Sequence, residues 1–206
     1  MNRAQPPDRV AARALEYPYG EIVGDPATGE LLKQDLSQFT PLLAYGANAS
    51  QLGLRNKLRK RPAGREVQRL RVVISDFAVS YSAHISPYGA VPATLVPAPG
   101  SEVEVQLQFL TAAELALIHD TERNYSFNQL TNVELSYGGT PLGTIDPYAY
   151  VSRHGALTDG RSLLAPTERP AQGFAARSLN QLDIQQLVSD FAGGGEPAQK
   201  FAAVNS

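Results

Sequence analysis

The sequence predicts an α+β domain, a mixed sheet or partial barrel with helices at its edge. Strand-like segments dominate the middle of the chain, few helices interrupt them, and no helix of crossover type joins one strand to the next. The composition supports a folded domain. Of 206 residues, 43% are apolar, 18% charged and 8% aromatic, which excludes wholesale disorder, collagen and coiled coil.

Residues 1–36 read as an N-terminal arm. Within it, turn residues between two short apolar pairs at 20–32 fit a small hairpin. Residues 37–191 form the predicted domain, and 192–206, opening on a glycine run, form a loose tail. Pro41-Leu-Leu-Ala-Tyr45 is a short apolar strand ending at Gly46, and Asn48 then supplies a cap-like residue for a helical opening. Residues 72–82 are rich in β-branched and aromatic side chains and read as a strand. A short strand at 92–96 meets the Pro97-Ala-Pro-Gly100 turn.

The clearest strand comes next. Val103, Val105, Leu107 and Phe109 alternate with Glu102, Glu104, Gln106 and Gln108, so one face is predicted as core and the other as wet. The clearest helix adjoins it. Thr111-Ala-Ala-Glu114 is a capping box, Leu110 and Leu115 make a hydrophobic staple, and the helix runs toward Thr121. Strands are predicted at 130–137 and 148–152. A last helix spans 179–191, with Leu182, Leu187 and Phe191 among its apolar positions.

Charge and cysteine usage narrow the function classes. Eighteen basic against twenty acidic residues give −2, which weighs against a general nucleic-acid binder. The absence of cysteine excludes disulfides, thiolate metal sites and a cysteine nucleophile. No apolar run reaches the ~18 residues needed for a membrane span, and the N-terminus lacks a signal-type apolar segment. The expectation is a cytoplasmic protein without membrane attachment. His84, His119 and His154 accompany no Gly-x-Ser-x-Gly or His-Glu-x-x-His motif and read as surface or satisfied histidines. The basic run 55–65 has no interleaved aromatics and reads as a solvated loop or partner-contact edge.

Two features can carry chemistry. At about 100° per residue, Glu122 lies about 20° from the direction of Leu115, so Leu115, Ile118 and Glu122 form one stripe facing the core. Desolvation and the negative helix end both disfavour a charged carboxylate there. A helix frayed by residue 122 would instead leave Glu122 in water. The second feature is Tyr45-Gly46-Ala47-Asn48, a strand–turn–helix junction whose backbone N–H groups suit a carboxylate or oxyanion.

Tyr45-Gly46-Ala47-Asn48 resembles the Tyr-Gly-Ser-Asn loop of the γ-glutamylcyclotransferase superfamily, with Ala47 in place of the serine. Ser75-Asp76-Phe77 is similar to that family's Asp-Phe strand, and the stretch 89–103 to its Ala-Thr-to-Pro-Gly strand and turn. Residues 110–122 look like the helix that ends in the family's catalytic glutamate, and Asn48 and Glu122 stand 74 positions apart, as suits the family. The resemblance covers about residues 40 to 155, more faintly to 191.

It implies a small mixed β-barrel with peripheral helices and an enzyme that needs no cofactor or metal. The substrate's own α-amine attacks its γ-carbonyl, releasing 5-oxoproline and an amine or amino acid. It further implies that Glu122 moves the proton and that the backbone of Tyr45, Gly46, Ala47 and Asn48 holds the glutamyl moiety. Tyr125 compensates for an expected later tyrosine. Tyr150 faces substrate, with Tyr148, on the same strand face, as the alternative. The partner implied is a small γ-glutamyl molecule. A catalytically silent member that binds a small ligand or a protein is the other reading.

Overall fold

A computed structural model describes residues 12–19, 35–60, 66–143 and 145–191. The hairpin expected at 20–32 and the tail from 192 lie outside the described residues. In chain order the elements are β1 (Thr40–Ala44), α1 (Gln51–Lys57), β2 (Gln68–Tyr81), β3 (Ala93–Leu110), α2 (Ala112–His119), β4 (Tyr125–Gln129), β5 (Leu135–Tyr137), β6 (Thr140–Pro141), β7 (Tyr148–Ser152), β8 (Leu164–Pro166), β9 (Ala171–Gln172), β10 (Arg177–Leu179) and α3 (Gln181–Phe191).

The main sheet runs β4-β7-β1-β3-β2-β5-β6, with β9 added to β3, and β8 and β10 form a separate pair. Pairing is antiparallel except for β1 on β7 and β10 on β8, so the sheet is mixed and the α+β expectation is met. The barrel is not. The path is open among the described residues, ending at β4 on one side and β6 on the other. Those two edges belong to short strands of five and two residues, too brief to wrap the sheet into closure. Among the described residues no helix is long and apolar enough to cross a membrane.

The hairpin of β2 and β3 is the spine of the fold, and Leu70, Val72, Ile74, Val103, Val105 and Leu107 from its two strands are buried in the main core. The Pro97-Ala-Pro-Gly100 segment does not end a strand, as expected, but sits inside β3. The register jumps from Ser75↔Glu102 to Phe77↔Pro97, leaving Asp76 opposite a bulge. Pro97 and Pro99 have no N–H to give to a ladder, so the strand buckles there and continues. The buckle is tied down locally: Gly100 N–H donates to Asp76 Oδ1 at 2.7 Å, and Ser101 Oγ donates to Phe77 O at 2.9 Å.

Other boundaries differ from expectation for identifiable reasons. Of the strand expected at 130–137 only Leu135–Tyr137 forms, as β5; β4 ends before it at Gln129, and Asn132 stands at φ 57 in the gap. Helix α3 begins at Gln181, and its buried face is Gln181, Ile184, Gln185 and Ser189, while Leu182 and Phe191 are exposed. Gln181 sets that rotation by clasping one buried residue: Val91 N–H donates to its Oε1 at 2.8 Å and its Nε2 donates to Val91 O at 2.9 Å. Two satisfied buried backbone groups outweigh the exposure of two apolar side chains.

Candidate functional site

The site is built on β1 and on the turn and helix that continue from it. Tyr45 and Gly46 leave the strand, Ala47–Ala49 form one 3-10 turn, and Ser50 caps α1 by accepting the Gly53 N–H at 2.9 Å. Ser50 thus takes the capping role expected of Asn48, which leaves the Asn48 side chain free for the site. The turn also spends its own donors: Ala49 N–H donates to Gly46 O and Ser50 N–H to Ala47 O. Gly53 is required here, since a Cβ on it would lie 1.9 Å from Ala47 O.

Beneath the turn lies the polar face of β3. Gln106 and Gln108, expected in water, are fully buried, because the 45–60 segment covers that end of the strand. Gln108 Nε2 donates to Asn48 O at 2.6 Å and so fixes the turn from below. Glu102 at the other end of the same face stays exposed, as alternation predicts.

Helix α2 delivers the carboxylate. Its capping box forms as expected, with Thr111 and Glu114 bonded reciprocally. The helix stops at His119, but the wind continues through i→i−3 bonds: Thr121 N–H to Ile118 O at 2.9 Å and Glu122 N–H to His119 O at 3.1 Å. Glu122 therefore keeps its place on the inward stripe beside fully buried Ile118, and its side chain is only 9% exposed. Asn48 Nδ2 donates to Glu122 Oε1 at 3.0 Å, and the Lys57 ammonium pairs with the same oxygen. Both bonds fall on Oε1; Oε2 takes neither. The uncompensated carboxylate expected from an apolar stripe is thus corrected: two donors, one cationic, stabilise its charge.

A cavity of about 840 Å³ joins these parts, and Tyr45, Gly46, Ala47, Asn48, Glu122, Tyr125 and Tyr150 all line it. Tyr148 does not; its ring stacks on Phe127 with centroids 4.5 Å apart. The phenols are hydrogen-bonded and held neutral. Tyr45 Oη donates to Tyr150 O, Tyr125 Oη to Ala93 O at 2.9 Å, and Tyr150 Oη bonds His119 Nδ1 at 2.7 Å. Burial, above all, pushes Tyr45, Tyr125 and Tyr150 above the ordinary phenol range, and the Glu122 charge adds to it.

Asn48 has a further property. Its Nδ2 must face the Glu122 carboxylate, because the flipped amide would set two acceptors against each other. Its Oδ1 is then buried without a hydrogen-bond partner among the described residues. An orphaned acceptor in such a place costs about 1–3 kcal/mol until a donor arrives.

Several lining residues escape the sequence reading. Lys57 lies within the basic run read as a solvated loop or partner-contact edge. Tyr17, in the segment read as an arm, is buried; its Oη accepts the Ala93 N–H at 2.9 Å and would lie 2.4 Å from a Cβ on Gly46. His84, read as a surface or satisfied histidine, is satisfied by Ser82 Oγ at 2.6 Å but also lines the cavity beside Tyr125 and packs against the His154 ring at 4.9 Å. Burial pushes it down to about 4, with the His154 charge acting the same way and Glu122 opposing. Arg169, buried and outside the lining, donates from Nε to Tyr45 O at 3.0 Å and so holds the bend. Nothing in local periodicity marks these residues; each reaches the site through tertiary packing. Among the described residues no group of three or more His, Cys, Asp or Glu is arranged to hold a metal ion.

No protein-family model and no curated protein matches the chain. Solved structures do resemble part of it. γ-Glutamyl cyclotransferase is 16% identical, aligns over 56% of this chain and 67% of its own, and superposes with a TM-score of 0.44. An uncharacterized protein from Homo sapiens is 17% identical over 56% of this chain and 67% of its own, with a TM-score of 0.43. A protein from Arabidopsis thaliana, solved in solution, is 16% identical over 59% of this chain and 74% of its own, with a TM-score of 0.44.

Proposed function

We propose that this chain is a γ-glutamylcyclotransferase-like enzyme that splits a γ-glutamyl amide or dipeptide into 5-oxoproline and an amine or amino acid. The observation that carries the reading is the meeting of Asn48 and Glu122 across 74 residues at the wall of one cavity. An α-ammonium entering there finds two acceptors, Glu122 Oε2 and the orphaned Asn48 Oδ1, which is what an amine-binding site requires.

In this reading Glu122 takes a proton from the α-ammonium and the freed amine attacks the γ-carbonyl carbon. The new C–N bond closes the five-membered ring. The bond to the leaving nitrogen then breaks, and Glu122 returns protons to that nitrogen. Two protons leave the α-nitrogen and two reach the leaving group, so the step balances without a co-reactant. Because the nucleophile is tethered, the protein's task is to hold the glutamyl chain folded, and well-oriented intramolecular attack lowers a barrier by about 7–11 kcal/mol. The neutral phenols of Tyr45, Tyr125 and Tyr150 stiffen the wall against which the chain folds.

The test is release of 5-oxoproline from a panel of γ-glutamyl amides. Glu122→Gln keeps the Asn48 contact in outline and is expected to lower release by at least about 100-fold, the size of a lost general base. Unchanged turnover in that variant removes Glu122 from the mechanism. One observation favours a second reading, a catalytically silent module for a small carboxylate-bearing ligand: the Lys57 ammonium already satisfies the Glu122 charge. Ligand binding without any 5-oxoproline release would establish it.

A further inference from the structure

We propose that Lys57 is the receptor for the ligand's α-carboxylate and that binding exchanges one ion pair for two. This rests on the amino-acid-binding part of the reading above and not on its chemistry. In the unliganded site Lys57 and Glu122 form a contact pair, with side chains 20% and 9% exposed. For Glu122 to receive an α-ammonium, the cation now on it must be displaced or shared. A half-buried ammonium stripped of its partner is costly, so displacement needs an incoming anion. An α-amino acid carries that anion one carbon from its ammonium, and opposite charges one carbon apart match a Lys–Glu pair in contact. Ammonium goes to Glu122 and carboxylate to Lys57, and no charge is left unpaired.

Two further observations fit. The orphaned Asn48 Oδ1 offers the second acceptor that the arriving ammonium needs. Arg59 and Lys60, shortly after Lys57 in the chain, line the same cavity and add cationic charge to its wall. The basic run read from the sequence as a solvated loop or partner-contact edge therefore has an inward role at its Lys57 end. Lys57 selects α-amino acids over simple amines and draws itself off Glu122 only when the right ligand is present.

The experiment is a calorimetric or NMR titration of the full chain with two probes. L-Glutamine carries the α-ammonium, α-carboxylate and γ-amide; 4-aminobutanamide lacks only the carboxylate. Wild type is expected to bind glutamine about 10- to 100-fold more tightly, the range of a charge-assisted hydrogen bond. Lys57→Met is expected to abolish that preference while binding 4-aminobutanamide at least as tightly as wild type, since no cation then has to leave Glu122, and Lys57→Arg to restore most of the preference. Equal affinities in wild type, or no binding of either probe, overturn the proposal without recourse to any variant. So does a Lys57→Met protein that keeps the wild-type ratio. The enzyme reading fails separately: a preserved glutamine preference with no 5-oxoproline release rejects the chemistry and upholds Lys57, and release with no preference does the reverse.

Discussion

His84 has a cost at the scale of a single residue. It sits half-buried between the rings of Tyr125 and His154, and its Nδ1 shares a 2.6 Å bond with Ser82 Oγ. The folded protein holds it neutral down to about pH 4. The unfolded chain takes up its proton near pH 6.5. Between those values the unfolded state binds more protons, so stability rises with pH across that window and the histidine adds no slope above it. Thermal melts from pH 4 to 7.5 are expected to show a shallower rise for His84→Gln than for wild type; parallel curves would show that the histidine carries no such cost. The half-buried Asp159, whose accepted bonds from Ser162 and Arg161 N–H hold it below the usual carboxylate range, acts in the same direction at more acid pH: its stabilising contribution is lost as pH falls through its lowered value.

At the scale of elements, the features legible in the sequence are those that local rules govern. The α2 capping box, the alternation of β3 and the inward stripe ending in Glu122 depend on neighbours two to seven residues away, and each formed. Where a reading failed, a contact from far along the chain decided the matter. Gln106 and Gln108 alternate as predicted, yet the segment after β1 roofs their face. Leu182 and Phe191 are exposed because Gln181 grips Val91, 90 residues away.

The junction of β1 with the N-terminal segment shows how tight such contacts are. Gly46→Ala drives a methyl to 2.4 Å from Tyr17 Oη, whereas the next ring atom is at an ordinary 3.5 Å. The substitution is expected to destabilise by about 1–3 kcal/mol. In a Tyr17→Phe background the added cost should largely vanish, since the offending oxygen is gone. Denaturant titration of the double-mutant cycle measures this coupling, and additive costs would mean that the two residues do not press on each other.

At the scale of the whole molecule, the 1–36 arm expected from the sequence is in part a structural component. Ala14 and Tyr17 belong to the main core cluster, and the Tyr17 hydroxyl holds the Ala93 N–H in the spine of the fold. Removal of residues 1–19 takes away a buried aromatic ring and leaves a buried amide unpaired, a loss of about 3 kcal/mol or more. The urea midpoint of the truncated chain should fall accordingly; an unchanged midpoint would mean that the segment is an accessory after all. Composition hinted at none of this, because so short a segment offers no window for periodicity and the contact that fixes it, Tyr17 to Ala93, spans 76 positions.

Tyr17 is also part of the cavity lining, a wall shared by chain segments that are remote in sequence. Occupancy of the cavity and attachment of residues 12–19 are therefore linked equilibria. A ligand that needs the complete wall holds the segment in place by RT ln(1 + [L]/Kd), and at about a hundred times Kd that grip is about 2.7 kcal/mol. The beginning of the chain thus becomes a reporter: slower amide exchange at 12–19 would register a filled pocket whether or not any bond is broken inside it.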